Sequence, residues 1–599
     1  MGIPHLKRLM EPYAEKEPIR PSYVVIDGPA LAYHILRVCS RKTLKTSPFE
    51  QPSYELLGKT TIAWLDQIGA YGLYVSAIYF DGFLPESKRA ERMRRLIGTS
   101  KDLVKYHMAN LTGVPGQRPT FEEKPVELFP KSWGGDARAT PPAPSFLVPA
   151  IIDTLRRSAE FGPRTKLVPG EADGFCAENV RTNGGIVLTS DSDLLVHDLG
   201  PDGNVVFFAD IDVDIDSERL IALQYRISKI CKRLSLKSNN DFPRVAFKLL
   251  EDPYLSLEQA AEKARNTASD TDDSDRYLEF INDYNSPETA PNVGVEHGSG
   301  LDPRVSEIAF RCLPNTEIGT SGPTDRADQL ASEDQSLAMF LPPLLDSPSR
   351  TSAWEASKDI RQLSYSLLRS ARGTAIQSVS EFRRLQSPSF GTRVQVPPPS
   401  NIEEEASALL NSLAAIKTSV EKAEVLWVTL SIYQDVALTV SQGKNQPLSL
   451  ELIGHCAAGM LDQGSWDFLH MLSQAQATYY SLRMLRQVIG FAVRDGGRDF
   501  PAAVSKLANV LSSLPPLSDF PCVANFADML RDFSALGGLA CLANLCNEYD
   551  NILPQIEALQ KPLVPKGKRS KKRKSESRSQ QSVRPRPSNP FGILRNQDV

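Results

Sequence analysis

Cysteine is scarce and scattered in this 599-residue chain: eight residues, no two of them in a CxxC pair. That excludes zinc knuckles and a disulfide framework, and it suits a reducing compartment. Long apolar runs are missing as well. The best of them, Val425–Val440, is interrupted by Gln434 and Asp435 and falls short of the roughly 18 residues that a membrane span needs. No membrane partner is expected. The start, MGIPHLKRLMEPYAEKEP, has no apolar stretch of a secretory signal. Leu6 stands where a myristoylation motif built on Gly2 wants Ser or Thr. Net charge is also small, −4, but it is unevenly spread. From Lys561 onward twelve Lys and Arg face only Glu576 and Asp598, a net of +10, so the remainder carries −14. Such a body is no general sponge for nucleic acid; phosphate binding has to come from local basic features or from the tail.

What is present falls into blocks, and the length requires several domains. Residues 1–245 alternate short β-branched runs with helical patterns, as βα units do. The runs YVVI (Tyr23–Ile26), VSAIYF (Val75–Phe80) and IVLT (Ile186–Thr189) are nearly all apolar, the look of a parallel sheet covered on both faces. Residues 107–149, rich in Pro and Gly, read as a loop insertion. Residues 246–335 read as an acidic linker (TASDTDDSDRY) with an embedded docking segment, LDPRVSEIAFRCL. From 336 to 562 the pattern is helical and offers no catalytic constellation. His455 and His470 stand apart there from any acidic or cysteine cluster, so the region reads as a lid or docking domain. Residues 563–599 form an expected disordered basic tail. Its Lys566, Lys568, Arg569, Lys571, Lys572, Arg573 and Lys574 read as a nuclear import signal or nucleic-acid arm. NPFGIL near the end reads as a short partner motif.

Carboxylates follow the strands. Asp27 comes after YVVI, Asp81 after IYF, and Asp191 and Asp193 after IVLTS; Glu171 and Asp173 open a helix after Pro169–Gly170. In an open α/β sheet, loops at the C-terminal strand ends converge on the ligand. Six carboxylates at one edge repel unless cations intervene, and an all-oxygen donor set without His or Cys suits Mg²⁺, or Mn²⁺, better than zinc. Two such ions would activate water and stabilise the leaving oxygen of a phosphodiester. Each position alone also has a plainer reading. Asp27 is a good N-cap before Pro29, Asp81–Gly82 a turn, and Asp191/Asp193 a solvated loop. Glu171 and Asp173 suit a helix N-terminus and, at i and i+2, do not share a helix face. Beyond Asp81, PESKRAERMRRL places Lys88, Arg92 and Arg95 at i, i+4, i+7, with Arg89 beside them. This basic face either holds a phosphate backbone over the carboxylates or is simply solvated.

The opening MGIPHL and the motifs YVVIDG, IYFDG, GEADGFCA and TSDSDLL, in that order, resemble the flap endonuclease (XPG-type) family. LKSNNDFPRVAF, LDPRVSEIAFR and LPPLLDSPSRTSAWEASKDIRQLSYSLL are similar to its asteroid branch in the fungal form. The resemblance implies an α/β, PIN-like nuclease domain with a mostly parallel central sheet, followed by a mainly α-helical domain and a disordered basic tail. It places Asp27, Asp81, Glu171, Asp173, Asp191 and Asp193 on the metal-site carboxylates, and Asp173 stands where many members have Glu. Asp241 is the candidate for the family's seventh carboxylate. Lys88, Arg92 and Arg95 fall near the catalytic basic gateway, and Gly2, Lys88, Arg89, Arg92 and Arg95 near the nucleic-acid path. Two departures stand out: Pro4–His5 replaces the usual x–Gly, and no GxGxxxA-like duplex grip follows the last aspartate pair.

These features imply a Mg²⁺-dependent, structure-specific endonuclease that hydrolyses phosphodiester bonds of DNA single strands, flaps or overhangs in repair, located in the nucleus. Its partners would be DNA and the nuclear import machinery. The alternatives are a catalytically inactive nuclease-fold scaffold and an RNA-processing or RNA-binding factor. If the acidic linker covers the site as a mimic of nucleic acid, deleting Ser269–Ser274 tightens binding of a labelled oligonucleotide in an anisotropy titration. Unchanged affinity argues against that role.

Overall fold

A computed structural model describes residues 3, 5–40, 51–84, 88–111, 126–130, 142–214, 216–238, 241–266, 274–285, 298, 300–312, 336–372, 376–384, 391–420, 422–495 and 500–561. Gly2 and the basic run 566–574 lie outside them. Eight strands form the main sheet: β1 (Glu15–Pro18), β2 (Ser22–Asp27), β3 (Leu73–Asp81), β4 (Thr165–Val168), β5 (Gly185–Thr189), β6 (Gly203–Phe207), β7 (Asp212–Asp214) and β8 (Arg219–Tyr225). Their order is β1-β8-β6-β5-β2-β3-β4, with β7 also paired to β8. The five strands from β6 to β4 run parallel, and β8 turns antiparallel to β6. The mixed, mostly parallel sheet flanked by helices is therefore the α/β architecture that the apolar runs imply.

Side-chain alternation builds three layers. Val24 and Ile26 of β2, Ile78 and Phe80 of β3, and Ile186 and Leu188 of β5 enter one core. Val25, Ala77, Tyr79 and Val187, the residues between, enter the other. A period of two on strands buried on both sides yields this near-continuous apolar sequence. Helices Gly28–Ser40, Tyr54–Ala70 and Leu147–Arg157 cover the first face, and Ala172–Asn183, Ile227–Arg233 and Phe242–Glu251 the second. The chain leaves β2 on one side for β3 and β4, then returns at β5 on the other. That reversal makes the C-terminal ends of β2, β3 and β5 the switch point where such sheets take ligands.

Three stretches differ from the sequence reading. Within 107–149, helix Leu147–Arg157 begins, and Leu128 and Phe129 pack on the core. The segment after the acidic run forms helix Ser274–Asn285, which lays Phe280 against Phe247 with ring centroids 5.4 Å apart. The region from 336 is not wholly helical. Its β9 (Ser336–Phe340), β10 (Ser378–Phe382) and β11 (Thr392–Gln395) form a second sheet. SLAMF and SVSEF are each only five residues long, too short for periodicity to reveal against the helices around them. Among the described residues no helix is long and apolar enough to cross a membrane.

Residues Met1–Lys561 form one compact unit. Side chains of the sheet region and of the C-terminal helices share a core, in which Phe146 stacks on Tyr480 at 4.4 Å. A buried ion cluster ties β10 to the 30-residue helix Trp466–Asp495. Arg361 holds Glu381 through two hydrogen bonds of 2.7 and 2.9 Å. Arg383 and the Tyr365 hydroxyl donate to the same carboxylate, and Arg361 also donates to Ser481 of the long helix at 3.1 Å. Arg361 and Glu381 are completely buried. Charges taken out of water persist only when each is matched and hydrogen-bonded.

Burial opposes the charge on Glu381, but Arg361 and Arg383 outweigh it and hold the carboxyl down at about 2. Replacing Glu381 with Gln leaves the buried Arg361 without a carboxylate, although Arg383 keeps Glu355, and costs about 3–5 kcal/mol, measurable by urea unfolding at neutral pH. Because the folded value is depressed, the carboxylate's contribution is complete above its ordinary 4.5 and is lost as pH falls towards 2. The gap between wild type and Glu381→Gln therefore narrows across that window.

Candidate functional site at the strand ends

Asp27 is the last residue of β2 and is 4% exposed. Burial of a carboxylate has to be compensated. The Thr189 hydroxyl at the end of β5 donates to its Oδ2 at 2.7 Å, and the Ala30 amide donates to its Oδ1 at 3.2 Å. The helix-capping reading of Asp27 is thus partly realised, yet Thr189 also ties it to the neighbouring strand. The same hydroxyl accepts from the Asp191 amide at 2.9 Å, so one threonine links β2 to the aspartate loop. The Asp193 amide donates to Asp191 Oδ1 at 3.0 Å, which turns that loop. At the end of β3, Asp81 Oδ1 accepts from the Ala172 amide at 2.8 Å. That bond brings Glu171, at the N-cap of helix Ala172–Asn183, and Asp173, in its first turn, to the same edge.

The field at this edge is one of mutual repulsion. Burial pushes the Asp27 carboxyl up to about 7, with Asp81 and Asp191 adding to it against the Thr189 and Ala30 hydrogen bonds. Burial raises Asp173 well above the usual range, and Asp27, Asp191, Asp81 and Glu171 all push the same way. Asp193 is pushed up to about 6 by burial and by Asp191, while a bond from the Ile3 backbone works against the rise. Its Oδ1 is enclosed with no hydrogen-bond partner. Asp27, Asp81, Glu171 and Asp191 thus all act on Asp173, although Glu171 and Asp173 sit two residues apart on a helix, and Asp191 also acts on Asp193. Among the described residues, however, no three Asp, Glu, His or Cys side chains already close into a ligand shell. Like charges without a cation between them have every reason to stay apart.

One cysteine does come close. Cys176 is buried beside Asp27, Asp173 and Asp81, and burial with those charges drives its thiol well above the usual range. It is held as a neutral thiol, not as a soft thiolate ligand.

The expected basic face divides three ways. Lys88 stays with the carboxylates, its Nζ 3.5 Å from Glu171 Oε2. Arg92, expected at the gateway, is engaged on both terminal nitrogens by Glu307, at 2.5 and 2.9 Å, and lies 3.9 Å over the Phe340 ring. Arg89 lies over Phe382, and Arg95 turns to Glu91 in solvent. The spacing i, i+4, i+7 does not keep the three together: helix Arg89–Ala109 lays Arg89, Arg92, Met93 and Leu96 against Phe340 of β9 and Phe382 of β10, so Arg92 acts as a packing residue while Arg95 faces solvent. Asp241 is a correction too. It accepts from the Ser238 amide at 3.0 Å before helix Phe242–Glu251 and exerts its charge on Cys231, not on the six carboxylates. Gly2 lies outside the described residues; Ile3 beside it reaches Asp193.

Sequence reasoning passed over Thr189, although a hydroxyl residue directly before SDSD was a usable signal. It also passed over Arg304 and Glu307, which lie in the segment read only as a docking element. Burial of a charged helix face is not visible in one sequence.

Residues 143–396 match a family model described as XPG domain containing. That span includes Glu171, Asp173, Asp191, Asp193, Arg304 and Glu307, with Asp27 and Asp81 preceding it. No curated protein matches the chain. The parallel sheet with its switch point, the carboxylates gathered there and this match identify residues 143–396 as similar to an XPG-type nuclease domain.

Proposed function

We propose that the protein is a divalent-metal-dependent endonuclease that hydrolyses phosphodiester bonds of DNA. The carrying observation is the convergence of Asp27, Asp81, Asp173 and Asp191, from four separate chain segments, into one field of unneutralised charge. Asp27, Asp81, Glu171, Asp173, Asp191 and Asp193 would hold Mg²⁺ or Mn²⁺, because every donor is a hard oxygen and each carboxylate oxygen keeps a free lone pair beside its hydrogen bond. Bound cations supply Lewis acidity and a nucleophile at neutral pH. The chain does the positioning. Thr189 fixes Asp27 and the aspartate loop together, the Ala172 amide fixes Asp81, and Lys88 offers an ammonium to a phosphate oxygen. Single strands, flaps and overhangs fit best, since the duplex-gripping signature is absent from the sequence. The basic run 566–574 supports a nuclear site of action, and single strands and flaps are substrates that DNA repair would present.

A second reading, a nuclease-fold scaffold without catalysis, draws on the open carboxylate arrangement and on the engagement of Arg92 by Glu307. A cleavage panel separates the two. Labelled single-stranded, 5′-flap and 3′-overhang DNA and matching RNA are incubated with Mg²⁺ or Mn²⁺, beside Asp191→Asn/Asp193→Asn. Cutting by the wild type is expected, with a loss in the double variant exceeding the roughly 10- to 100-fold seen when a mere outer partner of a metal ligand is removed. Equal inertness of both proteins on every substrate, with unchanged circular dichroism, selects the scaffold. Preference for the RNA strands moves the substrate assignment to RNA.

A further inference from the structure

Helix Pro303–Arg311 is fastened at both ends. Asp302, just before it, takes two hydrogen bonds of 2.8 Å from Arg483 of the long helix, and its amide donates to Gln487. At the other end Arg311 donates to the Leu84 carbonyl at 2.7 Å and lies over the Phe83 ring. Between them Ser306 approaches Gly82 so closely that a Cβ there would stand 3.1 Å from its hydroxyl. The helix therefore rests on the Gly82–Leu84 loop directly after Asp81.

Three guanidiniums, Arg92, Arg304 and Arg311, share the single carboxylate of Glu307. They do not share it equally. Arg92 takes both oxygens at short range and is 10% exposed; Arg311 spends its terminal nitrogen on Leu84. Arg304 has only a 3.5 Å approach to Glu307 Oε2, and its side chain remains about one-third exposed at 34%. Arg304 stands two residues before Ser306 on the helix that rests on the loop directly after Asp81. One cation is thus held at the carboxylate edge by a rigid helix while most of its donors stay uncommitted.

We propose that Arg304 is a phosphate-binding residue of this site, gripping a backbone phosphate of the nucleic-acid strand in the place that the gateway spacing gives to Arg92. The assignment rests on the nuclease reading above. A guanidinium presents a planar fork to two phosphate oxygens, which a lysine cannot reproduce. A helix fixed at both ends delivers it with little entropy left to lose.

The test uses the full chain and a labelled single-stranded DNA, with binding measured in EDTA across a salt series and cleavage in Mg²⁺. Arg304→Ala is expected to lower cleavage efficiency roughly 10- to 100-fold and to flatten the plot of log affinity against log salt by about 0.7. Its melting temperature should fall far less than that of Arg92→Ala, because Arg92 and Arg311 still face Glu307. Arg304→Lys should restore the salt slope but only part of the rate. Arg92→Ala, which strips Glu307 of its closest partner, should instead lower the melting temperature. If the wild type cuts DNA and Arg304→Ala keeps both rate and salt slope, the assignment to Arg304 is wrong. If Arg304→Ala loses melting temperature in step with rate, and Lys restores both together, the residue is structural and the assignment is again wrong. A wild type that neither cuts nor binds any of the DNA defeats the nuclease reading itself.

Discussion

A single buried carboxylate, Glu307, governs how the front of this molecule is assembled. Its desolvation is tolerable only because Arg92, Arg304 and Arg311 surround it and outweigh burial, holding it below the ordinary carboxylate range. Satisfying Glu307 has three geometric results. It pins helix Arg89–Ala109 against β9 and β10, it seats helix Pro303–Arg311 on the loop after Asp81, and it gathers positive charge next to the most acidic edge of the sheet. Residues more than two hundred positions apart in sequence are thereby held in one register.

The strand ends work by the opposite principle. Glu307 is neutralised by excess cations, whereas the strand-end carboxylates are left with too few. Burial and repulsion raise Asp27, Asp173 and Asp193, yet Thr189 and the Ala172 amide keep Asp27 and Asp81 in place. Donors held in place around unneutralised charge are what the proposed metal-dependent activity would use. The ion cluster around Glu381 shows what the same chain builds when charge is meant to be structural, with every oxygen matched and none left open.

Much of this arrangement was legible in the sequence. YVVI, VSAIYF and IVLT have the apolar continuity that only a doubly covered parallel strand requires, and the acidic residue after each then falls at the same edge by topology. Lys88 was legible through its position just past Asp81. Arg92 was not, because helical spacing says which residues share a face but not what covers that face; here Phe340 and Glu307 arrive from far along the chain. Asp241 resembled a ligand by its place after the aspartate pair, and its side chain instead takes the Ser238 amide in the preceding turn. The strands SLAMF and SVSEF were too short to stand out against their helical surroundings, and they are paired by residues some forty positions apart.

The stacking of Phe146 on Tyr480 carries a consequence for the making of the protein. Synthesis at ~5–20 residues per second separates the emergence of the two rings by tens of seconds. Throughout that interval the nuclease sheet exists with Phe146 and its neighbours bare, on the face that the late helices will close. The nascent chain must therefore cross a period in which the apolar surface around Phe146 lacks the helices that finally cover it.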